Sequence, residues 1–98
     1  MAGEMLIIPV NGVYFDQIAD GTKAEEYRLA TDYWRKRLEG RSYAGVVMTR
    51  GYPKAGGIEG QTRLTRSWLG FTRKTITHPH FGAEPVDVFA INVSEPRP

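Results

Sequence analysis

The run from Val86 to Val93 constrains this chain most, because read as a strand it is apolar on both faces. Alternation puts Val86, Val88, Ala90 and Asn92 on one side and Phe89, Ile91 and Val93 on the other. Such a strand is buried on both sides and needs cover from two directions. With 98 residues and no low-complexity tract, the chain has material for one compact domain, residues 1–98, built on one small core.

The elements that can supply the cover are short. Met5 to Val10 reads as a buried strand, ended by Pro9 and the turn pair Asn11-Gly12. Asn11 can cap a helix in which Tyr14, Phe15, Ile18 and Ala19 have helical spacing, and Gly21 suits its left-handed C-terminal position. Glu25 to Ala30 follows as a strand. Thr31-Asp32 offers an N-cap and a first-turn acid to a second helix, with Arg35, Lys36 and Arg37 toward its far end, Trp34 and Leu38 on its core face and Gly40 closing it. Tyr43 to Thr49 reads as another buried strand. From Arg50 to Gln61 four glycines and a proline indicate a mobile surface loop. Residues 62–77 alternate loosely and suit one bent strand or two short ones, and His78-Pro79-His80-Phe81-Gly82 interrupts before the final strand. The expected class is α+β, a small curved sheet or open barrel with helices on its side.

The chemistry available is bounded by composition. Cysteine is absent, which excludes disulfides, thiol nucleophiles and thiolate metal sites and fits a reducing cytoplasm. The first apolar run follows Glu4 and is too short for a signal peptide or a membrane span, so no membrane partner is expected. Net charge is +2, but residues 28–74 hold eleven basic residues against three acids, a local +8 that suits a polyanion. The glycine-rich loop has Gly57 where a phosphate-binding P-loop needs lysine, and neither a dinucleotide fingerprint nor a nucleophile elbow is present. His78 and His80 lack a third ligand nearby, so no metal and no cofactor is expected.

Charge is densest at Gly21-Thr22-Lys23-Ala24-Glu25-Glu26-Tyr27-Arg28. On a strand Glu26 and Arg28 share a face, with Lys23 in the turn before them, while Tyr27 and Leu29 are expected to point the other way into the core. A lysine, a glutamate and an arginine converging beside a turn can hold a phosphate, read a base edge or transfer a proton. Aromatic residues interleave with cations along the chain, as in Tyr27-Arg28, Tyr33-Trp34-Arg35 and Arg50-Gly51-Tyr52, the pairing that single-stranded nucleic acid uses for stacking and phosphate contact. Trp34 and Trp68 are assigned to the interior. Tyr52 in the loop is the better stacking residue, with Arg50, Lys54 and Arg63 as cations and His78 as a hydrogen-bond donor near a phosphate.

The same octapeptide resembles the Gly-x-Lys-x-x-Glu-x-Arg signature of ASCH domains, part of the PUA-like superfamily. The order of elements is similar over nearly the whole chain. The resemblance implies a small β-barrel of about five or six short strands flanked by two short helices, a cleft beside the signature, and RNA or nucleotide as partner. Some small members of the family resemble enzymes that hydrolyse the acetyl amide of N4-acetylcytidine, and some are reported as ribonucleases. In the amidohydrolase type the lysine works with a threonine three residues later and a distant glutamate. Lys23 matches the lysine, but position 26 is glutamate. The hydroxyl nucleophile is therefore missing, and a carboxylate beside Lys23 and Arg28 favours charged cations where a lysine base must be neutral. The resulting expectation is a non-catalytic binding domain using Lys23, Glu26 and Arg28. The alternatives are a nucleoside or RNA hydrolase with Lys23 as base and Glu26 as acid/base, and a protein-interaction module.

Overall fold

A computed structural model of the chain describes residues 3–97. Six strands and two helices follow one another as β1 (Met5–Val10), α1 (Gly12–Asp20), β2 (Glu25–Leu29), α2 (Asp32–Leu38), β3 (Gly45–Arg50), β4 (Arg63–Arg66), β5 (Phe71–Ile76) and β6 (Val86–Asn92). The strands form two sheets of three, ordered β1-β3-β4 and β2-β6-β5. β1 and β3 run parallel, and the other ladders are antiparallel. This is a small α+β fold, and among the described residues no ladder joins the two sheets into a closed barrel.

β6 is the centre of its sheet, and Val88, Phe89, Ala90 and Ile91 are all buried, as its two apolar faces require. Phe89 meets Phe71 edge-on at 5.3 Å between ring centres, and its truncation to alanine would cost roughly 3–5 kcal/mol. β3 is likewise central and buried on both sides from Gly45 to Thr49. β1 departs from expectation. It lies at a sheet edge and buries only Leu6, Ile8 and Val10, while Ile7 is 53% exposed, and Pro9 pairs with Thr49 inside the strand instead of ending it. Proline is tolerated there because an edge strand has one row of N–H groups with no ladder to complete.

Both start signals and the end signal of α1 hold, while α2 is capped by Glu39 one residue before Gly40, which takes φ +70°. Asn11 Oδ1 accepts the Tyr14 N–H at 2.9 Å, Thr31 Oγ1 accepts the Trp34 N–H at 3.4 Å, and Gly21 closes α1 with φ +87°. Residues 62–77 divide into β4 and β5, which belong to different sheets. The glycine loop contains a 3-10 turn at Lys54–Gly56 and bonds to itself: Thr62 Oγ1 accepts the Ile58 N–H at 2.8 Å, and the Glu59 carboxylate accepts the Thr65 N–H and hydroxyl at 2.8 and 2.6 Å. No helix of the described residues is long and apolar enough to cross a membrane.

Candidate functional site

The turn between α1 and β2 is built by short-range bonds. The Asp20 carboxylate accepts the Thr22 hydroxyl and N–H at 2.7 and 2.9 Å, which holds its pKa below the ordinary value, and the Lys23 N–H reaches back to the Gln17 carbonyl at 3.0 Å. This fixes the start of the Lys23 side chain. Its ammonium lies 5.1 Å from the Tyr14 ring centre and 4.5 Å from that of Tyr27, so two aromatic faces flank it and only 11% of the side chain is exposed.

Glu26 sits opposite Ile91, and Arg28 opposite Phe89, in the β2–β6 ladder. Directly paired residues share a face, so both charged side chains lie on the side of β2 that faces the core. Glu26 is 5% exposed. Here the expected orientation of β2 is corrected: Leu29, assigned to the core from alternation, is 39% exposed, and Tyr27 is half-buried beside Lys23 and His78 outside the core cluster. The register with β6 decides the matter, because Phe89 and Ile91 point into the main cluster and carry the Glu26 face with them.

The Glu26 carboxylate joins the two cations. Oε1 stands 3.5 Å from Lys23 Nζ and Oε2 3.0 Å from Arg28 Nη2. The same Arg28 nitrogen donates to the Pro9 carbonyl at 2.6 Å, and the guanidinium lies 5.4 Å from the Trp34 ring. Arg28 Nε is buried with no hydrogen-bond partner. A buried carboxylate needs such company, since an ion taken out of water without a partner costs several kcal/mol. The group of three carries one net positive charge.

Two cavities open on this group. One, of about 340 Å³, is lined by Glu26 and Arg28 with Tyr14, Tyr33, Trp34, His80 and Phe81 among its walls. The other, of about 480 Å³, is lined by Lys23, Thr22, Gln17, Glu25, His78 and Asn92, and Tyr14 and Tyr27 border both. Lys74 Nζ is 2.7 Å from Glu25, which raises the Lys74 pKa, and burial together with the Glu25 charge pushes the Tyr27 phenol up.

Of the residues singled out from sequence, the fold brings together Lys23, Glu26, Arg28 and His78. Arg50, Tyr52, Lys54 and Arg63 line neither cavity. Arg50 is engaged elsewhere, 2.6 Å from Asp16 on α1, and Arg63 lies 3.3 Å from Glu59 within the loop. Tyr52 is 91% exposed. The site also recruits residues that sequence reasoning left out: Tyr14, His80 and Phe81 as walls, Trp34 as a wall as well as a core neighbour, and the Pro9 carbonyl as an acceptor for Arg28. The His-Pro-His-Phe interruption was the available signal, because it gathers two imidazoles and a phenyl ring in one short turn beside proline. His78 Nδ1 accepts the His80 N–H at 3.1 Å, and the His80 ring meets Tyr14 and Phe81 at 5.8 and 5.0 Å. Among the described residues no group of three or more His, Asp or Glu is placed to hold a metal.

Chemically, the smaller cavity combines flat aromatic walls with a floor of one buried acceptor and one anchored donor. Comparison with family models, with curated proteins and with solved structures finds no match for this chain.

Proposed function

We propose that this protein is an ASCH-like binding domain, its two sheets forming an open barrel of PUA-like type, that takes RNA or a nucleotide with a base in the cavity floored by Glu26 and Arg28. The observation that carries the reading is the buried Glu26 carboxylate held between Lys23 and Arg28 at the base of an aromatic-walled cavity. A nucleobase has apolar faces and an edge of donors and acceptors. Tyr14, Trp34 and Phe81 offer surfaces to the faces, while the free lone pairs of Glu26 and the remaining N–H groups of Arg28 meet the edge. A volume of about 340 Å³ lies at the lower end of ordinary small-ligand sites, enough for one base and its sugar.

Binding is favoured over hydrolysis by the surroundings of Lys23. Its ammonium is occupied by the Glu26 carboxylate at 3.5 Å and by two ring faces, which leaves it placed as a fixed contact, and no hydroxyl occupies position 26. The test is titration of mononucleotides, short single-stranded RNA and duplex RNA at two salt concentrations, read by anisotropy and by tryptophan fluorescence, since Trp34 borders the cavity. Expected is single-strand binding that weakens with salt and is lost in Lys23→Ala/Arg28→Ala, with melting curves confirming that the variant folds. Absence of binding at low salt, or indifference to the double substitution, would overturn the reading. Turnover of N4-acylated cytidine or RNA that vanishes in Lys23→Ala would replace it with the hydrolase alternative.

A further inference from the structure

Helix α2 presents three kinds of face. Trp34 and Leu38 pack toward the core. Arg35 is bracketed by Asp32 at 2.5 Å and Glu39 at 3.4 Å, so both acids of the helix and its flank are consumed by one arginine. The third face, Tyr33, Lys36 and Arg37 at i, i+3 and i+4, carries cations with no carboxylate partner among the described residues. Arg41 joins it past the Gly40 turn, because its Nε donates to the Lys36 carbonyl at 2.8 Å. The Arg37 guanidinium lies 5.3 Å from the Tyr33 ring centre and 5.4 Å from that of Trp34, and its buried Nε has no hydrogen-bond partner. Tyr33 is 62% exposed, yet it also lines the cavity floored by Glu26 and Arg28.

The cationic face is thus continuous with the cavity through one ring. We infer that this face of α2 is the track along which the backbone of single-stranded RNA leaves the cavity, an inference that rests on the reading of the cavity given above. The exposed Tyr33 ring, with the Arg37 guanidinium 5.3 Å from its centre, offers a platform to the next base, and Lys36 and Arg41 meet its phosphates. An acidic peptide would satisfy the cations but leave the ring face unused. Seven residues make α2 about 10 Å long, so the track serves a short single-stranded segment and gives a strand of several nucleotides an advantage over a mononucleotide.

The test compares a mononucleotide with a single-stranded RNA hexamer across a salt series, using the protein and its Lys36→Gln, Lys36→Gln/Arg41→Gln and Tyr33→Ala variants. Lys36 is exposed, so its substitution leaves folding intact even if Arg41 contributes to the helix end. Expected is tighter binding of the hexamer, a slope of log affinity against log salt shallower by about 1.4 in the double variant, from about 0.7 per phosphate contact, and unchanged mononucleotide binding in Lys36→Gln. A hexamer that binds no tighter than the mononucleotide, or a salt slope unmoved by the double variant, overturns the track and leaves the cavity reading standing. Hexamer binding that depends on Lys36 and Arg41 but persists in the Lys23→Ala/Arg28→Ala variant overturns the cavity reading, and with it a track that leads out of the cavity. Failure of both ligands to bind removes both.

Discussion

Glu26 Oε2 and Arg28 Nη2 stand 3.0 Å apart on the face of β2 that lies opposite Ile91 and Phe89, so an ion pair occupies ground that neighbouring strands fill with core side chains. Exposed pairs contribute little to stability, about 0–1 kcal/mol. Breaking a buried pair by removing one partner leaves the other uncompensated and costs roughly 3–5 kcal/mol. The burial of Glu26 puts this pair in the second class.

Arg28→Ala is therefore expected to lose about 3 kcal/mol, the lower end because Lys23 remains 3.5 Å from the carboxylate. In urea denaturation the midpoint falls with an unchanged slope, and the melting temperature drops by at least about 12 °C. The triple variant Lys23→Met/Glu26→Leu/Arg28→Met recovers most of that stability, because no buried charge is left without company. A single-variant loss under about 1 kcal/mol would class the pair as solvated.

Gly21 ends α1 at φ +87° with nothing within 4 Å of the position a Cβ would take. Space is free, so the cost of Gly21→Ala is the left-handed backbone alone, roughly 1 kcal/mol. Gly21→Asn is expected to lose less, since asparagine tolerates that conformation. Equal losses in thermal melts of the two variants would contradict the conformational cause.

Glu59 ties the glycine loop to β4 through Arg63 and Thr65. Burial pushes its carboxyl up, but the Thr65 hydroxyl and N–H together with Arg63 outweigh this and hold it below the ordinary value. A depressed folded pKa contributes stability above the unfolded value, about 4.3, and that contribution is lost as pH falls through the lower folded pKa. The stability difference between the protein and Glu59→Gln is expected to be constant near neutral pH and to shrink below about pH 4.3. It stays under about 1 kcal/mol because the side chain is largely exposed. A difference that grows on acidification would contradict the assignment.

Tyr27 has the opposite sign at the other end of the scale. Burial first, and then the Glu25 charge, raise its phenol above the ordinary value. The native state keeps the proton, so the stabilisation is present below about pH 10 and is lost as pH rises through the folded pKa. In difference-absorbance titrations, Tyr27→Phe is expected to remove an ionisation that lies above the ordinary tyrosine range. Removal of a step at or below that range would show that Tyr27 is solvated.

Much of the local structure was legible because its causes are local. Asn11 and Thr31 cap helices with their own side chains, Gly21 supplies the left-handed turn, and the two-faced run of β6 demanded a central position. The convergence of Lys23, Glu26 and Arg28 was legible for the same reason, since all three lie within six residues. Arg50 and Arg63 were misplaced because sequence proximity of cations says nothing about which carboxylates the fold brings to them: Asp16 reaches Arg50 across thirty-four residues. His80 and Phe81 come to the cavity from a turn far along the chain, which no periodicity encodes.

By itself, then, the sequence determined which residues share a face and where helices start and stop, because backbone periodicity and capping act over a few residues. Only the tertiary structure decided which face of β2 is buried. Alternation groups Glu26 with Arg28 and Tyr27 with Leu29, but it is the pairing of Glu26 with Ile91 that turns the charged pair inward and leaves Leu29 exposed. The separation of β4 and β5 into different sheets, and the aromatic walls that make a cavity above a buried carboxylate, follow from the same long-range pairings. Contacts of that kind depend on how the whole chain closes on its core.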